Sequence, residues 1–402
     1  MINLFKHRKN IFFILLISLC YSAFSQKNNS KIYVVDFDEL ESKKKHITNS
    51  RNKKALKNYK NLINKADQLL DRAVFSVVNK TGIPPSKSKH DYMSIGPYYW
   101  PNPKTKDGLP YIRKDGKVNP ETRNKFTDIV EKSNFISAIK TLSKAYFFSD
   151  DIKYGNKNIE FINAWFLDEA TKMNPNINYG QSVPGKSEGR CFGIIEFGDI
   201  IEIIKFLEIA SKKGILDNDT EKGMFNWFTE YSNWLKNSVL GKEEATRKNN
   251  HATHYDAQLL NILLYLNKIE EVKTYISTIT RSRIFSQIEP DGSQPLELAR
   301  TKSFSYSVMN LHGFLELAII GKKVGVDLWN ETSEDGRSIK TGYQYMVPFL
   351  TKKKKWEYQQ IKSRTYSEER IISDLKLIRK IFKDDSFDNS LLKLKKINRK
   401  MH

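Results

Sequence analysis

Cysteine is nearly absent from this chain of 402 residues, which contains only Cys20 and Cys191. Cys20 lies in an N-terminal leader that we expect to be removed, so Cys191 remains alone. An intramolecular disulfide is therefore excluded. The mature protein must depend on a packed core for its stability, and we expect Cys191 to be a small buried residue of that core and not a nucleophile.

Long apolar runs are also scarce after a short one near the N-terminus. That run covers residues 11–19, follows a basic stretch at 6–9, and precedes the small residues Ala23 and Ser25. The arrangement is typical of a secretory signal peptide, and the run is too short for a comfortable membrane span. We therefore predict a signal peptide at residues 1–25 with cleavage after Ser25. The mature protein is expected to be periplasmic or secreted, without stable membrane insertion.

Acidic residues are outnumbered, with 46 aspartates and glutamates against 67 lysines and arginines. The formal charge of the chain is +21, and it falls to +18 without the leader, which holds three basic residues and no acidic ones. Such a surplus favours a polyanionic partner. For an exported protein we expect an acidic polysaccharide and no nucleic acid. A genome that favours lysine codons would produce the same surplus of basic residues without any polyanionic partner, and this alternative stays open.

Strand-like alternation is scarce, whereas apolar residues recur at three- and four-residue steps from Leu56 to Val77 and in several later segments. These later stripes cover residues 135–147, 159–167, 194–210, 225–240, 259–266 and 308–320. The periodicity is typical of amphipathic helices. We predict an all-α domain at residues 26–360, built from antiparallel helix pairs that form a solenoid or an α/α toroid. A helical, basic extension follows at residues 361–402, and we expect it to lie outside the chemistry.

Proline is concentrated in one long loop, with seven of the 12 prolines between Pro84 and Pro120. A loop of this length within a compact domain is usually functional, and its aromatic residues argue against disorder. We predict that His90, Tyr99 and Trp100 of this loop contact a sugar substrate, as does Gln181 of a second loop. The alternative is that the aromatic rings pack the long loop against the core.

Two polar segments about 45 residues apart supply an amide, an imidazole, a guanidinium and a phenol. A proton on the carbon beside a uronic carboxylate is very weakly acidic, so its removal requires that the carboxylate charge be neutralised. Asn250 and His251 can hydrogen-bond both carboxylate oxygens, while Arg300 adds a positive charge that lowers the pKa of a neighbouring phenol. With Tyr306 as that phenol, the set indicates β-elimination. A loop or helix start near Lys302 is needed to bring Arg300 and Tyr306 together.

The stereochemistry of the substrate decides how the proton is carried. When the C5 hydrogen and the C4 leaving oxygen lie on the same side of the ring, Tyr306 can act as both base and acid. When they lie on opposite sides, two residues are needed, and His251 is the better base with Tyr306 as the acid.

A metal site is the main alternative for the histidine segment. His251, His254 and Asp256 form part of a metal-binding pattern, but the chain has no helical HExxH motif and no clear third ligand. We therefore expect no metal and no other cofactor, and we predict that His254 contacts the substrate. The sequence does not indicate the oligomeric state.

Several strings together resemble the alginate lyase superfamily over roughly residues 75–330. These strings are HDYMS at 90–94, PYYWP at 97–101, NNH at 249–251, DGSQPLELAR at 291–300 and SY at 305–306. The resemblance implies an α/α toroid and metal-independent β-elimination of uronic acid polymers. It also implies that Asn250 and His251 correspond to the neutralising asparagine and the catalytic histidine, Tyr306 to the catalytic tyrosine and Arg300 to the arginine. The context is closest to a divergent branch in which some members prefer glucuronan to alginate.

The sequence therefore predicts a polysaccharide lyase that cleaves a 4-linked uronic acid polymer, either alginate (polymannuronate) or glucuronan. The product would carry a 4,5-unsaturated uronate at its new end. One rival is a glycoside hydrolase on the same scaffold, which would use two of the carboxylates of Asp91, Asp256, Asp291 and Glu297. The other rival is a polyuronate-binding protein without catalytic activity.

Overall fold

Helices dominate the structure, as the apolar stripes predict. The computed structural model describes residue 31, residues 33–48 and residues 53–399, without the side chains of residue 48 and residues 395–399. Its helices are α1 Phe37–Thr48, α2 Lys53–Asp67, α3 Ile129–Ser149, α4 Ile152–Phe166, α5 Ile201–Lys212, α6 Asn218–Asn237, α7 Val239–Ala245, α8 Asn250–Tyr265, α9 Ile269–Tyr275, α10 Arg281–Gln287, α11 Pro295–Leu298, α12 Ser303–Lys323, α13 Ile339–Leu350, α14 Thr365–Phe382 and α15 Asp388–Arg399. The signal peptide and its cleavage site lie outside the described residues and stay predictions.

The hairpin of α3 and α4 shows how local sequence produces a helix pair. Asp150 ends α3 in the left-handed region with a φ of 59°, and the Asp151 side chain caps α4 by accepting a hydrogen bond from the amide of Lys153. Left-handed residues are common at helix ends, and aspartate is a preferred N-cap. The two helices pack against each other, and the rings of Phe135 and Trp165 stack with 4.6 Å between their centroids.

The first predicted helix is shorter than its apolar stripe. α2 ends at Asp67, and Val77 begins a short 3₁₀ helix instead. Phe75, between them, is buried against rings of both α3 and α4. This tertiary packing outweighs the helical periodicity of the stripe. In the same way, Cys191–Ile200 forms a 3₁₀ helix before α5 begins.

Four short strands hold together the two loops that the sequence singled out. The strands are β1 Met93–Ile95, β2 Tyr99–Trp100, β3 Ile112–Arg113 and β4 Tyr179–Ser182. β1 pairs in parallel with β4, and β2 pairs antiparallel with β3. The Ser94 hydroxyl donates to the carboxylate of Glu196 over 2.6 Å and accepts from the Gln181 amide over 2.7 Å. The proline-rich loop and the Gln181 loop therefore lie side by side.

Helices α8 and α12 lie at the centre of the fold. α12 packs against α8, α13 and α14, and α8 also packs against the 3₁₀ helix that precedes α5. The close approach of α8 and α12 depends on Gly313, because a Cβ atom there would lie 2.9 Å from Cγ2 of Thr253. The described residues from Tyr33 onward belong to one compact unit. Its helices pack in pairs, as the resemblance to α/α toroid proteins implies.

The C-terminal segment is joined to this helical body. The Ser367 hydroxyl of α14 donates to the Ser305 hydroxyl of α12 over 3.1 Å. The segment is helical, as expected, but its residues also contribute to the wall of the cleft described below. This placement contradicts the expectation that the segment lies apart from the chemistry. A domain boundary at residue 360 stays a prediction.

Hydropathy provides one further finding about the described part of the chain. Within it, no helix combines the length and the apolar character that a membrane span needs.

Candidate active site

A cleft of about 880 Å³ opens between the two loops and the first turns of three helices. α8 contributes Asn250 and His251 to it, α12 contributes Tyr306, and α14 contributes Tyr366 and Arg370. The N-terminal end of a helix carries a partial positive charge. Three such ends therefore favour an anion in this cleft.

Asn250 is fully buried at the first position of α8 and is held by Glu297 of α11. Its Nδ2 lies 2.9 and 2.7 Å from the two carboxylate oxygens of Glu297, and its backbone amide donates to the same carboxylate over 2.7 Å. Burial raises the pKa of Glu297. The two oxygens of one carboxylate lie close together, whereas the two N–H bonds of an amide diverge. Only one of these N–H bonds can point at Glu297, so the other points away from that carboxylate.

His251 lines the cleft at the next position of α8. Its Nδ1 lies 2.6 Å from Oε1 of Glu244, a fully buried residue of α7, and its ring meets Phe192 edge-on with 4.8 Å between centroids. A carboxylate at Nδ1 makes that nitrogen the donor, so Nε2 is the nitrogen left for a substrate. The imidazole can donate a proton from Nε2 when it is charged and accept one there when it is neutral.

α12 begins at Ser303, as the pairing of Arg300 with Tyr306 requires. The guanidinium carbon of Arg300 lies 3.9 Å from the centre of the Tyr306 ring. The same guanidinium is bound to Asp115 of the proline-rich loop, with 2.8 Å between Nη2 and Oδ1. Burial alone would raise the pKa of Asp115, but hydrogen bonds from Arg300 and Thr301 hold it well below its usual range. Asp115 also pairs with Arg113, so it compensates the charge of Arg300 only in part. The contact of Arg300 toward the cleft is with the phenol ring.

The Tyr306 hydroxyl ends a short chain of hydrogen bonds. Its oxygen lies 2.7 Å from the Tyr98 hydroxyl, which accepts a hydrogen bond from Nζ of Lys302 over 2.9 Å. Burial and the adjacent Tyr98 raise the pKa of Tyr306 well above its usual value, although Arg300 acts in the opposite direction. Arg300 therefore lowers the pKa of this phenol, as expected, but the net shift in the free protein is upward. Desolvation of the phenolate outweighs the charge of a guanidinium that Asp115 partly compensates.

Tyr99 and Gln181 line the cleft, and they share a partner that the sequence did not single out. Arg190 donates to the backbone and side-chain oxygens of Gln181 over 2.7 and 3.3 Å and to the Tyr99 hydroxyl over 3.2 Å. Gln181 has a φ of 46°, in the left-handed region that residues other than glycine rarely occupy. Within the described ranges Arg190 forms no ion pair, so its charge is uncompensated. Nothing in its local sequence distinguishes it from a surface arginine.

His90 and Trp100 do not line the cleft, so the structure does not bring them to a substrate. Nδ1 of His90 lies 2.6 Å from the carbonyl oxygen of Lys172. Nε1 of Trp100 donates to the carbonyl oxygen of Lys117 over 3.0 Å. The His90 contact ties the proline-rich loop to the segment after α4, whereas the Trp100 contact lies within the loop itself.

His254 lines the cleft one helical turn after His251. Burial lowers its pKa to about 4, so the ring is neutral at physiological pH. Asp256, the third member of the partial metal pattern, is fully buried and bound to Arg283 with 2.8 Å between Oδ2 and Nε. Across residues 33–48 and 53–399, no three histidine, cysteine or carboxylate side chains are grouped so that they could hold a metal ion.

His312 of α12 is a cleft residue that the sequence also missed. Its Nδ1 lies 2.9 Å from Oδ1 of Asp374 on α14, and its Nε2 lies 3.4 Å from Oε1 of Glu316. Burial alone would lower the pKa of His312, but the two carboxylates outweigh burial and raise the pKa to about 9. The ring is therefore an imidazolium at neutral pH, and it ties α14 to α12.

We expect this imidazolium to make the stability of the fold depend on pH. The pKa rises from about 6.5 in an unfolded chain to about 9 in the folded protein. The contribution is therefore fully present below about pH 6.5 and is lost as the pH rises through about 9. Urea unfolding should show that His312→Gln destabilises the protein more at about pH 6 than at about pH 9.5. An equal loss at both pH values would contradict the assigned ion pair.

The wall of the cleft is strongly basic. Six arginine and lysine residues line it, and none of the described residues in this wall is an aspartate or a glutamate. The six are Arg113, Arg190, Arg300, Lys302, Lys362 and Arg370. The carboxylates considered for a hydrolase lie elsewhere; Glu297 binds Asn250, and Asp91 accepts from Asn174 over 2.8 Å. A glycoside hydrolase needs two carboxylates beside the scissile bond, so this cleft does not suit one.

Comparisons with known proteins agree with this geometry. A family model described as Alginate lyase matches residues 76–356. A solved alginate lyase from Bacteroides ovatus is 37% identical, with coverage of 91% of this chain and 95% of that chain and a TM-score of 0.84. Alginate lyase A1-III from Sphingomonas species A1 is 13% identical, with coverage of 78% and 76% and a TM-score of 0.51, which shows the shared fold. Among curated proteins there is no significant match. The sequence resemblance is thereby confirmed: the chain belongs to the alginate lyase family and is a polysaccharide lyase.

Proposed function

We propose that this lyase cleaves a 4-linked uronic acid polymer, polymannuronate-rich alginate or glucuronan, by β-elimination in the periplasm or outside the cell. The observation that supports the proposal is that one basic cleft contains both the Asn250–His251 pair and the Arg300–Tyr306 pair. Alginate is the first candidate because the Bacteroides ovatus relative is an alginate lyase. Glucuronan is the second, because mannuronate and glucuronate have the same configuration at C4 and C5, the two carbons that react. The predicted signal peptide supports the location.

The reaction first requires neutralisation of the carboxylate beside C5. Asn250 supplies the N–H bond that Glu297 does not occupy, and His251 in its charged form donates a second hydrogen bond from Nε2 at the positive end of α8. Arg190 supplies a positive charge that no carboxylate compensates in the described part of the chain. Because Arg300 is bound to Asp115, we assign to Arg190 the electrostatic role that the sequence suggested for Arg300.

The reaction also requires a proton carrier beside C5 and C4. As a phenolate, Tyr306 takes the C5 proton, the electrons of that C–H bond form the C4–C5 double bond, and the C4–O bond breaks. Tyr306 then returns the proton to the leaving oxygen, which restores the phenolate. One residue suffices because the C5 hydrogen and the C4 oxygen lie on the same side in mannuronate and glucuronate. Arg300 lies against the ring and stabilises the charged form, against the opposing effect of burial and of Tyr98.

Ultraviolet absorbance tests the reaction and the substrate together. We expect purified protein to produce the conjugated 4,5-unsaturated uronate from polymannuronate or glucuronan, with EDTA present throughout because no step calls for a metal. Polyguluronate should react more slowly, since its C5 hydrogen and C4 oxygen lie on opposite sides of the ring. New reducing ends without absorbance would indicate hydrolysis. Binding without any product would indicate a polyuronate-binding protein.

A further inference from the structure

Residues 357–370 lie beyond the part of the chain that the family model matches, yet they border the cleft. The backbone amide of Ile361 donates to the carbonyl oxygen of Thr301 over 3.0 Å. The Gln360 side chain donates to the hydroxyl of Ser305 over 3.0 Å. The segment is therefore fixed against the first turn of α12, next to the proposed proton carrier.

A second cavity of about 480 Å³ adjoins the cleft along this segment. Lys362 and Ser363 line both cavities, so the two lie side by side along one path over the surface. Tyr358 lines the second cavity with 44% of its surface exposed, and its ring lies 5.3 Å from that of the mostly buried Trp356. An exposed ring supported by a buried one presents a firm apolar face, which suits the C–H groups of a sugar.

Two cations along this path carry charge that no carboxylate compensates. Lys362 is exposed at the junction of the cavities, and Arg370 of α14 donates to the Tyr366 hydroxyl. Neither forms an ion pair within the described ranges of the chain. Glu368 is the carboxylate of the second cavity, and Arg364 binds it with 2.9 Å between Nη2 and Oε1. The path therefore presents two positive charges, at Lys362 and Arg370, that an anionic polymer can bind.

We propose that residues 358–370 form a second binding site for the acidic polysaccharide. Lys362 and Arg370 bind the carboxylate of a sugar beyond the cleaved bond, and Tyr358 stacks on a sugar ring further along the chain. This inference rests on the proposed function. The second site would make the enzyme favour long polyuronates, because only a long chain spans both cavities.

Chain length provides the test. The purified protein is assayed by ultraviolet absorbance on a polyuronate and on the shortest oligouronate that it cleaves. The readout is the ratio of the two kcat/KM values. We expect Lys362→Gln and Arg370→Gln each to lower this ratio about two- to fivefold, mainly through a higher KM for the polymer. The KM of each variant should also depend less on ionic strength. Lys362 is exposed, so its replacement leaves the packing intact.

Arg379→Gln is the matched control. Arg379 lies on the same helix, is exposed and pairs with Asp388, outside both cavities. Its replacement should leave the ratio at the wild-type value. An unchanged ratio for both Lys362→Gln and Arg370→Gln would overturn the second site and leave the lyase activity standing. Failure of the wild type to cleave any polyuronate would overturn the proposed function, and this site with it.

Discussion

Tyr306→Phe should lower kcat by about 10²- to 10⁴-fold, which is the usual contribution of a proton-transferring side chain. The ring remains and keeps its contact with Arg300, whose guanidinium carbon lies 3.9 Å from the ring centre. Affinity for the polysaccharide should therefore change little. The rate is measured from ultraviolet absorbance, and the affinity is measured by calorimetry on the inactive variant.

A tyrosine outside the cleft provides the control for this variant. Tyr59 of α2 is partly exposed and does not line the cleft, so Tyr59→Phe should retain the wild-type rate. Near-normal turnover by Tyr306→Phe would remove Tyr306 from the proton transfer. A large loss of affinity would instead indicate a role in substrate binding.

The pH profile of the wild type separates the two roles of Tyr306. Burial raises its pKa well above the usual value, so the phenolate is a small fraction at neutral pH and grows about tenfold per pH unit. If the phenolate removes the C5 proton, kcat/KM should rise steeply between about pH 7 and about pH 8.5. This window stays below the pKa of about 9 at His312. A flat profile would assign proton removal to His251 and leave Tyr306 as the acid.

His251→Ala should slow the reaction by roughly 10²- to 10³-fold, on the scale of removing one donor to the developing charge. The variant loses the Nε2 donor beside Asn250, so the carboxylate next to C5 is less well neutralised. It also leaves the buried carboxylate of Glu244 without the ring that lies 2.6 Å from it, and unpaired buried groups cost stability. Thermal unfolding is therefore measured together with the rate, at a temperature where the variant is folded.

Two further variants make the assignment of His251 specific. Glu244→Gln retains the size of the side chain but removes the charge that orients the imidazole, so we expect a smaller loss of roughly tenfold in kcat. His46→Ala replaces an exposed histidine of α1 outside the cleft and should have no effect. A folded His251→Ala variant with the wild-type rate would exclude this residue from the neutralising set.

Much of the fold and part of the candidate site could be predicted from the sequence because both depend on local patterns. Three- and four-residue spacing predicted long helices such as α3, α8 and α12, but it missed α1, α9, α10, α11 and α13. It also failed after Asp67, where Phe75 packs into the α3–α4 hairpin. Asn250 and His251 are adjacent in the chain, and the helix start at Ser303 requires only local backbone geometry. The chemistry of these short motifs therefore predicted a polyuronate lyase.

The partners of these residues could not be predicted, because they come from distant parts of the chain. Asp115 lies 185 residues before Arg300 and partly compensates its charge. Arg190 has no distinguishing sequence context, yet the packing of two loops directs it toward the cleft. The sequence predicted that His90 contacts the substrate, but its Nδ1 instead lies beside the backbone carbonyl oxygen of Lys172.

The sequence by itself determined the helical class and the basic character, and it led to the proposed roles of Asn250, His251 and Tyr306, since periodicity, charge and short motifs are properties of neighbouring residues. Only the tertiary structure decided that Tyr306 holds its proton in the free protein, that Arg300 supports a phenol ring, and that α14 forms part of the cleft. The reason is that desolvation and ion pairing depend on which groups surround an atom in space. Folding brings those groups together from positions far apart in the chain.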